Sequence, residues 1–387
     1  MKMLVLADSK IPHAETAFKQ FGKVKVVPTK QMTNETARDA DVILIRSETK
    51  VDASFLKGTN VSFVGTATIG TDHVDLEYLK QHTIGFASCP GSNANSVAEY
   101  VLAALLVVGA QLGITLKGKT FGVVGHGNTG SRAAKKAKAI GMNVLLNDPP
   151  LARTTGDSRY VALDALMEAD FVSLHVPLTQ SGEDATLHLF DERRFSAMKE
   201  GSVLINSSRG AVVKTEALKR AFRNKHLQAC VLDVWENEPH IDVELLRLVL
   251  IGTPHIAGYS YDGKLNAAKM LQQALSGFFH LPISKAAQPD SDEQKEILLP
   301  ESTNNLESLL RHAVKRCYDV EEDDRKLRKL LSLSAGDRPE RFRQLRAEYP
   351  ARREFNNYMI DVTTLDEESR NVLAAVGFTL KDFKDAA

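Results

Sequence analysis

The 387 residues carry 49 lysines and arginines against 49 aspartates and glutamates, so no net field exists to hold nucleic acid or an anionic membrane, and the expected partner is a small molecule. A chain of this length exceeds one ordinary core and predicts two or three domains. Cys89, Cys230 and Cys317 are few and widely spaced. They fit buried thiols in a reducing, cytoplasmic compartment, and with the histidines scattered at random no metal site is expected.

The first element is a strand over the apolar run from Met3 to Ala7, which Asp8 breaks too early for a signal-peptide core. Up to residue 90, "MLVLA", "VKVV", "DVILIR", "FVGTAT" and "IGFASC" recur with helix-like segments between several of them, a pattern of parallel strands joined by crossovers. "NANSVAEYVLAALLVVGA" is apolar nearly all round and predicts a helix buried between domains, its apolar run falling short of the roughly 20 residues a membrane crossing needs. A second α/β series follows residue 118, with "TFGVVG", "NVLLND", "FVSLHV", "SVLINS" and "ACVLDV".

After residue 283 the polar "SKAAQPDSDEQKEI" reads as a linker. Beyond it, Leu306, Leu309, Leu310, Ala313, Val314 and Cys317 recur at helical spacing and define one buried face. With the strand-like "YMIDV" and the helix-like "SRNVLAAVG" they predict a small α+β domain, on which the mixed charge runs form a solvated face or a subunit contact.

The strongest motif is "TFGVVGHGNTGSRAAKKAKAI", in which Gly125, Gly127 and Gly130 form G-x-G-x-x-G between a strand and a helix, with Asn128 and Thr129 inside the loop. The first glycine makes the turn, the second lets backbone approach a pyrophosphate, and the third lets helix pack on strand. Asp148 closes the next strand, where its carboxylate can accept from an adenosine ribose and repel a 2′-phosphate. Pro149 and Pro150 follow in place of a basic residue, so NAD is expected rather than NADP.

Downstream, "INSSRGAVV", "LDVWENEP" and "GTPHIAGYS" place Arg209, Glu238 and His255 at strand ends or on the loops that follow. Hydride transfer from a secondary alcohol needs a base for the hydroxyl proton, a cation to orient an anionic substrate and a group to tune the base, and this trio supplies all three. Asp233 is a candidate for the nicotinamide end, and Trp235 reads as packing.

"GHGNTG", "SRGAVV", "DVWENEP" and "TPHIAGYS" resemble the signature blocks of the D-2-hydroxyacid dehydrogenases, from the first strand to about residue 282. A narrower match, to a branch acting on a phosphorylated 2-hydroxy acid, extends over nearly the whole chain through "FVGTATIGTDHVD", "LLNDPP" and "CYDVEEDDRKLRK". The resemblance implies two Rossmann-like or flavodoxin-like α/β domains with a cleft between them. These are a discontinuous substrate-binding domain at residues 1–93 and 258–283, and an NAD-binding domain at 94–257. A linker at 284–300 and a C-terminal α+β dimerisation domain at 301–387 complete a homodimer.

It further implies NAD-dependent oxidation of the hydroxy acid to its 2-oxo acid, with Arg209, Glu238 and His255 catalytic and His255 the acid/base. Ser207, Ser208, Arg209, Asp233 and Gly258 would join Asp148 at the cofactor, and Ser47, Thr68 and Tyr259 would meet the substrate. Two positions depart from the family: Val176 stands where a threonine is common, removing a hydroxyl from the cofactor side, and Ile69 stands where alanine is common, reshaping the substrate wall. Arg46 and Lys50 flank Ser47 as cations for a substrate phosphate. Another enzyme of the family, such as a phosphoglycerate dehydrogenase with a regulatory C-terminal module, remains an alternative; so does a non-catalytic NAD-sensing protein.

Overall fold

The computed structural model describes residues 3–283, 294–299 and 305–381. Two compact units divide the chain: Met1–Asn93 with Ser260–Asp292, and Ala94–Tyr259 with Glu293–Ala387. The chain thus returns to the first unit at Ser260, two residues after the boundary expected from sequence.

In the first unit, β1 (Met3–Asp8), β2 (Gly22–Val27), β3 (Val42–Ile45), β4 (Phe63–Thr66) and β5 (Gly85–Ala87) form a parallel sheet in the order β2-β1-β3-β4-β5. Alternate residues feed opposite faces. Val5, Ala7, Val42 and Leu44 enter one core, and Leu6, Ile43, Ile45 and Val64 enter another. Strands covered on both faces must be apolar throughout, which is why these runs read as continuous hydrophobic stretches. The helix Tyr261–Phe279 closes the first face with Ala267, Ala268, Leu271 and Leu275.

The second unit holds β6 (Thr120–Val124), β7 (Asn143–Asn147), β8 (Phe171–Leu174), β9 (Ser202–Asn206), β10 (Leu227–Leu232) and β11 (Ile251–Gly252). All pair in parallel, in the order β11-β10-β9-β8-β6-β7. Beyond β7, a single parallel bridge from Leu146 to Tyr160 stands where a further edge strand would lie. Chain order reverses between β6 and β8, and in open α/β sheets ligands collect at the carboxyl ends of the strands at that reversal.

The helix Ala94–Leu112 runs to 19 residues, longer than its apolar core in the sequence suggested. By length and composition it could cross a membrane, but 78% of its most apolar window is buried within the protein, and it is a core helix here.

The C-terminal region joins the second unit rather than standing as a third one. Leu309, Leu310, Ala313, Val314, Phe355, Ile360 and Val376 share a single apolar core with the Ala94–Leu112 helix and one face of the β6–β11 sheet. Part of the expected linker lies outside the described residues. Within it, however, Lys295–Ile297 forms a strand, β12, that buries Ile297 and pairs with β13 (Tyr358–Asp361). β14 (Thr379–Lys381) adds to the other side of β13, and all three strands are parallel. The helices Leu306–Cys317 and Glu367–Val376 lie in the crossovers that parallel pairing demands.

Candidate active site

The glycine loop follows β6 into the helix Asn128–Ala139. Gly125 has φ +87°, and a Cβ there would come within 2.8 Å of the His175 carbonyl oxygen and 2.9 Å of Val176 Cγ1. Gly130 packs so closely that a Cβ would lie 1.9 Å from the Gly125 carbonyl oxygen. Gly127 differs: nothing stands within 4 Å of the position a Cβ would take, and no side chain caps the helix that starts beside it. The helix thus starts at an open, uncapped Gly127, where its free first-turn amides suit an anion such as a pyrophosphate.

Asp148 caps the helix Pro149–Thr155 by accepting from the Leu151 amide at 3.1 Å, while its other oxygen takes the His126 amide at 2.8 Å. It thereby ties the loop to the end of β7. Each oxygen retains one further acceptor site for a ribose hydroxyl. At the end of β9 the Ser207 hydroxyl is buried with no partner, an orphan that a bound polar group would satisfy. The Ser208 hydroxyl instead donates inward to Asn206 Oδ1 at 2.8 Å. Val176 is part of the wall behind Gly125. These residues fit a dinucleotide.

His255 sits on a left-handed turn, φ +58°, which a non-glycine residue holds only where its surroundings over-determine it. Asp233 does that work. Its main-chain oxygen accepts from the His255 amide at 2.7 Å, and its carboxylate oxygens accept from the Ile256 and Ala257 amides at 2.8 and 2.9 Å. Thr253 Oγ1 donates to the same carboxylate at 2.6 Å and meets the Tyr100 hydroxyl at 2.9 Å, while Trp235 Nε1 donates to the Thr253 carbonyl. Asp233 is 1% exposed, so it frames the turn before it does anything else.

The turn brings His255 Nδ1 to 2.8 Å from Glu238 Oε2, while the other Glu238 oxygen takes the Trp235 amide at 2.8 Å. Burial works to raise the Glu238 carboxyl, but the His255 charge and hydrogen bond and the Trp235 amide outweigh it, holding the group below the usual carboxylate range. The imidazole remains 32% exposed, against 18% for the Glu238 side chain, so the carboxylate is shielded while the ring faces outward.

Arg209 arrives on the loop after β9, shaped by Asn206, whose amide donates to the Arg209 carbonyl at 3.0 Å. Gly210 brings this loop against the Glu238 loop: a Cβ on it would lie 2.0 Å from the Trp235 carbonyl carbon and oxygen. Gly258 and Tyr259 continue the His255 turn. Asn206, Thr253 and Tyr100 escaped the sequence reading; the Asx-turn signal in "INSS" was available for the first, and no local signal exists for the others.

In the first unit, Arg46 and Ser47 follow β3, and Thr68 and Ile69 follow its neighbour β4. The Thr68 hydroxyl donates to the Gly70 carbonyl at 3.0 Å and contacts Thr66 Oγ1 at 2.7 Å. Lys50 is 80% exposed and pairs with Asp52 at 3.0 Å. Lys264 lies in a crowd of cations with Arg46: burial lowers its pKa, and Arg46 and Lys10 lower it further.

The family profile described as "D-isomer specific 2-hydroxyacid dehydrogenase, NAD binding domain" matches residues 107–257, and one described as a domain of unknown function matches residues 291–377. The chain is 43% identical to an erythronate-4-phosphate dehydrogenase of Chromohalobacter salexigens, covering 98% of this chain and 99% of that protein. It is 44% identical to one of Salinibacter ruber, covering 94% and 95%. Among solved structures, the NAD+-bound 3-phosphoglycerate dehydrogenase of Entamoeba histolytica superposes with a TM-score of 0.62 at 25% identity, covering 72% of this chain and 96% of that one. The glycine loop, the Asp148 acceptor and the orphaned Ser207 hydroxyl agree with these likenesses, and NAD is the cofactor. The chain belongs to the erythronate-4-phosphate dehydrogenases, NAD-dependent oxidoreductases within the D-isomer specific 2-hydroxyacid dehydrogenase family.

Proposed function

We propose that the protein oxidises 4-phospho-D-erythronate to (R)-3-hydroxy-2-oxo-4-phosphooxybutanoate, a step towards pyridoxal 5′-phosphate, as a cytoplasmic homodimer. NAD, when bound, supplies the acceptor for the C2 hydride. His255 takes the C2 hydroxyl proton on Nε2, with Glu238 holding Nδ1–H and so fixing the tautomer and the ring's aim. Arg209 pairs with the substrate carboxylate and orients C2. The observation that carries this reading is the 2.8 Å His255–Glu238 contact on a turn framed by Asp233, in the same compact unit as the glycine loop.

On the cofactor side we assign Gly125, Gly127, Asn128, Thr129 and Gly130 to the pyrophosphate, Asp148 to the ribose, and Val176, Ser207, Ser208, Asp233 and Gly258 to the remaining contacts. Ser208 acts there through its backbone, since its hydroxyl is engaged with Asn206. One acceptor site is left on Asp233 Oδ2 for the nicotinamide amide. Ser47, Thr68 and Tyr259 contact the substrate. For its phosphate we assign Arg46 and Lys50, with Lys264 adding a further cation beside Arg46.

The test is turnover followed by nicotinamide absorbance across a panel of 2-hydroxy acids that includes 4-phosphoerythronate. The phosphorylated four-carbon acid should give the highest kcat/KM, and His255→Ala should lose on the order of 100-fold or more, the usual weight of a general base. Parent-like turnover in His255→Ala would reassign the base. No substrate-dependent signal with NAD bound normally would favour a sensor.

A further inference from the structure

The turn that carries His255 is gripped from a second side by the C-terminal region. Arg352, 6% exposed, donates from Nη2 to the Ala257 carbonyl at 2.8 Å and to the Ser96 carbonyl at 3.1 Å. Its guanidinium carbon lies 4.1 Å from the centre of the Tyr318 ring. The Ala257 amide is already held by Asp233, so this residue of the turn is tied through both its N–H and its C=O. Burying a guanidinium so completely is expensive in solvation, and here the charge is directed at a carbonyl two residues from the imidazole.

Arg346, at the end of the helix Arg338–Ala347, grips the far end of the same turn. Its Nη2 donates to the Tyr259 hydroxyl at 3.2 Å, and its guanidinium carbon lies 5.8 Å from the centre of that ring. Tyr349 packs edge-on against the ring at 5.9 Å, so Tyr259 is confined by two residues of the C-terminal region. The Arg346 charge also acts on Glu238, favouring its ionised form.

We propose that the C-terminal region is a positioning module acting within its own chain, Arg352 setting the His255 turn through the Ala257 carbonyl and Arg346 setting Tyr259 at the far end of that turn. It rests on the assignment of His255 as the proton-transfer group. On this view the region is part of the machinery and does more than join subunits. An enzyme with an intact dinucleotide site but a loosened C-terminal contact binds NADH and turns over poorly.

The experiment uses the full-length protein with Arg346→Gln, Arg346→Lys, Arg352→Lys, the exposed control Arg343→Gln, and His255→Ala. Melting temperature, NADH affinity, kcat, KM for 4-phosphoerythronate and the pH profile of kcat/KM are measured for each. Arg346→Gln should keep NADH affinity within about twofold while kcat/KM falls about tenfold or more. Its acidic limb should move to higher pH, because Glu238 protonates more readily without the neighbouring cation, and Arg346→Lys should restore the limb. Arg352→Lys keeps the charge but loses the planar fork, and should lower kcat with little change in KM.

The proposal is overturned if Arg346→Gln and Arg352→Lys both match Arg343→Gln in kcat/KM. It is overturned equally if melting temperature, NADH affinity and turnover all fall together with the acidic limb unmoved, since that is the behaviour of structural glue. Parent-like turnover in His255→Ala would sink the underlying site assignment. An inactive His255→Ala beside parent-like arginine variants would sink this proposal alone.

Discussion

Asp148 illustrates how one carboxylate serves two ends. It ties the glycine loop to the strand end through the His126 amide and caps a helix through the Leu151 amide, and each oxygen keeps one acceptor site, which the proposed ribose contact would use. Replacing it with alanine should weaken NAD by about tenfold, some 1.4 kcal/mol, and shift the NADP-to-NAD affinity ratio towards NADP as the negative charge disappears. Asp148→Asn should shift the ratio in the same direction, and fluorescence titration with both dinucleotides measures it. An unchanged ratio would remove Asp148 from cofactor discrimination. This residue was legible in the sequence because it lies eighteen positions after Gly130, inside one strand-loop-helix-strand unit whose geometry is local. The part Lys50 plays is not legible in the same way, because a flanking cation looks alike in sequence whether it meets a ligand or only pairs with Asp52.

At the scale of elements, the site depends on two loops from separate strands passing within touching distance at Gly210 and Trp235. A methyl group at residue 210 would have to displace backbone, which no side-chain rotation relieves. Gly210→Ala should therefore lower stability by roughly 2 kcal/mol or more and depress turnover further than that loss explains, since Arg209 moves with the loop. Denaturant unfolding beside kcat/KM would check it, and a variant of parental stability and activity would mean the loops do not meet as described. The long apolar helix Ala94–Leu112 was evident from its sequence, whereas β12 was hidden inside a polar stretch. A three-residue strand buries one side chain, Ile297, and its pairing with β13 lies more than sixty residues away, so no local pattern reveals it.

Across the second unit as a whole, buried charge joins the C-terminal region to the helix Ala94–Leu112. Glu99 is 1% exposed; its Oε1 accepts from Asn95 Nδ2 at 3.0 Å and from the Phe355 amide at 2.9 Å, and its Oε2 is buried with no partner. Burial pushes its carboxyl up to about 8, against the pull of Lys136. The sign follows from linkage. A group whose folded pKa is raised stabilises the fold fully below its unfolded value near 4.5, and that contribution is lost as pH rises to about 8. Asp323, pushed up to about 6 by burial, acts in the same direction. Glu99→Gln keeps the acceptor and removes the ionisation, so its melting temperature should match the parent near pH 4 and exceed it by several degrees above pH 8. A difference that does not grow with pH would show that Glu99 is not the titrating group.

What the residues alone determined was whatever is written in short range: two series of parallel strands, the glycine loop with its acidic partner, and the types of side chain suited to moving a hydride and a proton. Periodicity and turn chemistry act over a few residues, so they survive in a linear reading. What only the tertiary structure decided was which distant groups hold the local pieces still. Tyr100, Thr253 and Asp233 converge behind the His255 turn, and Arg346 and Arg352 close on it from the end of the chain. Such contacts join residues as many as 153 positions apart, and they follow from how helices and sheets pack rather than from any spacing along the backbone.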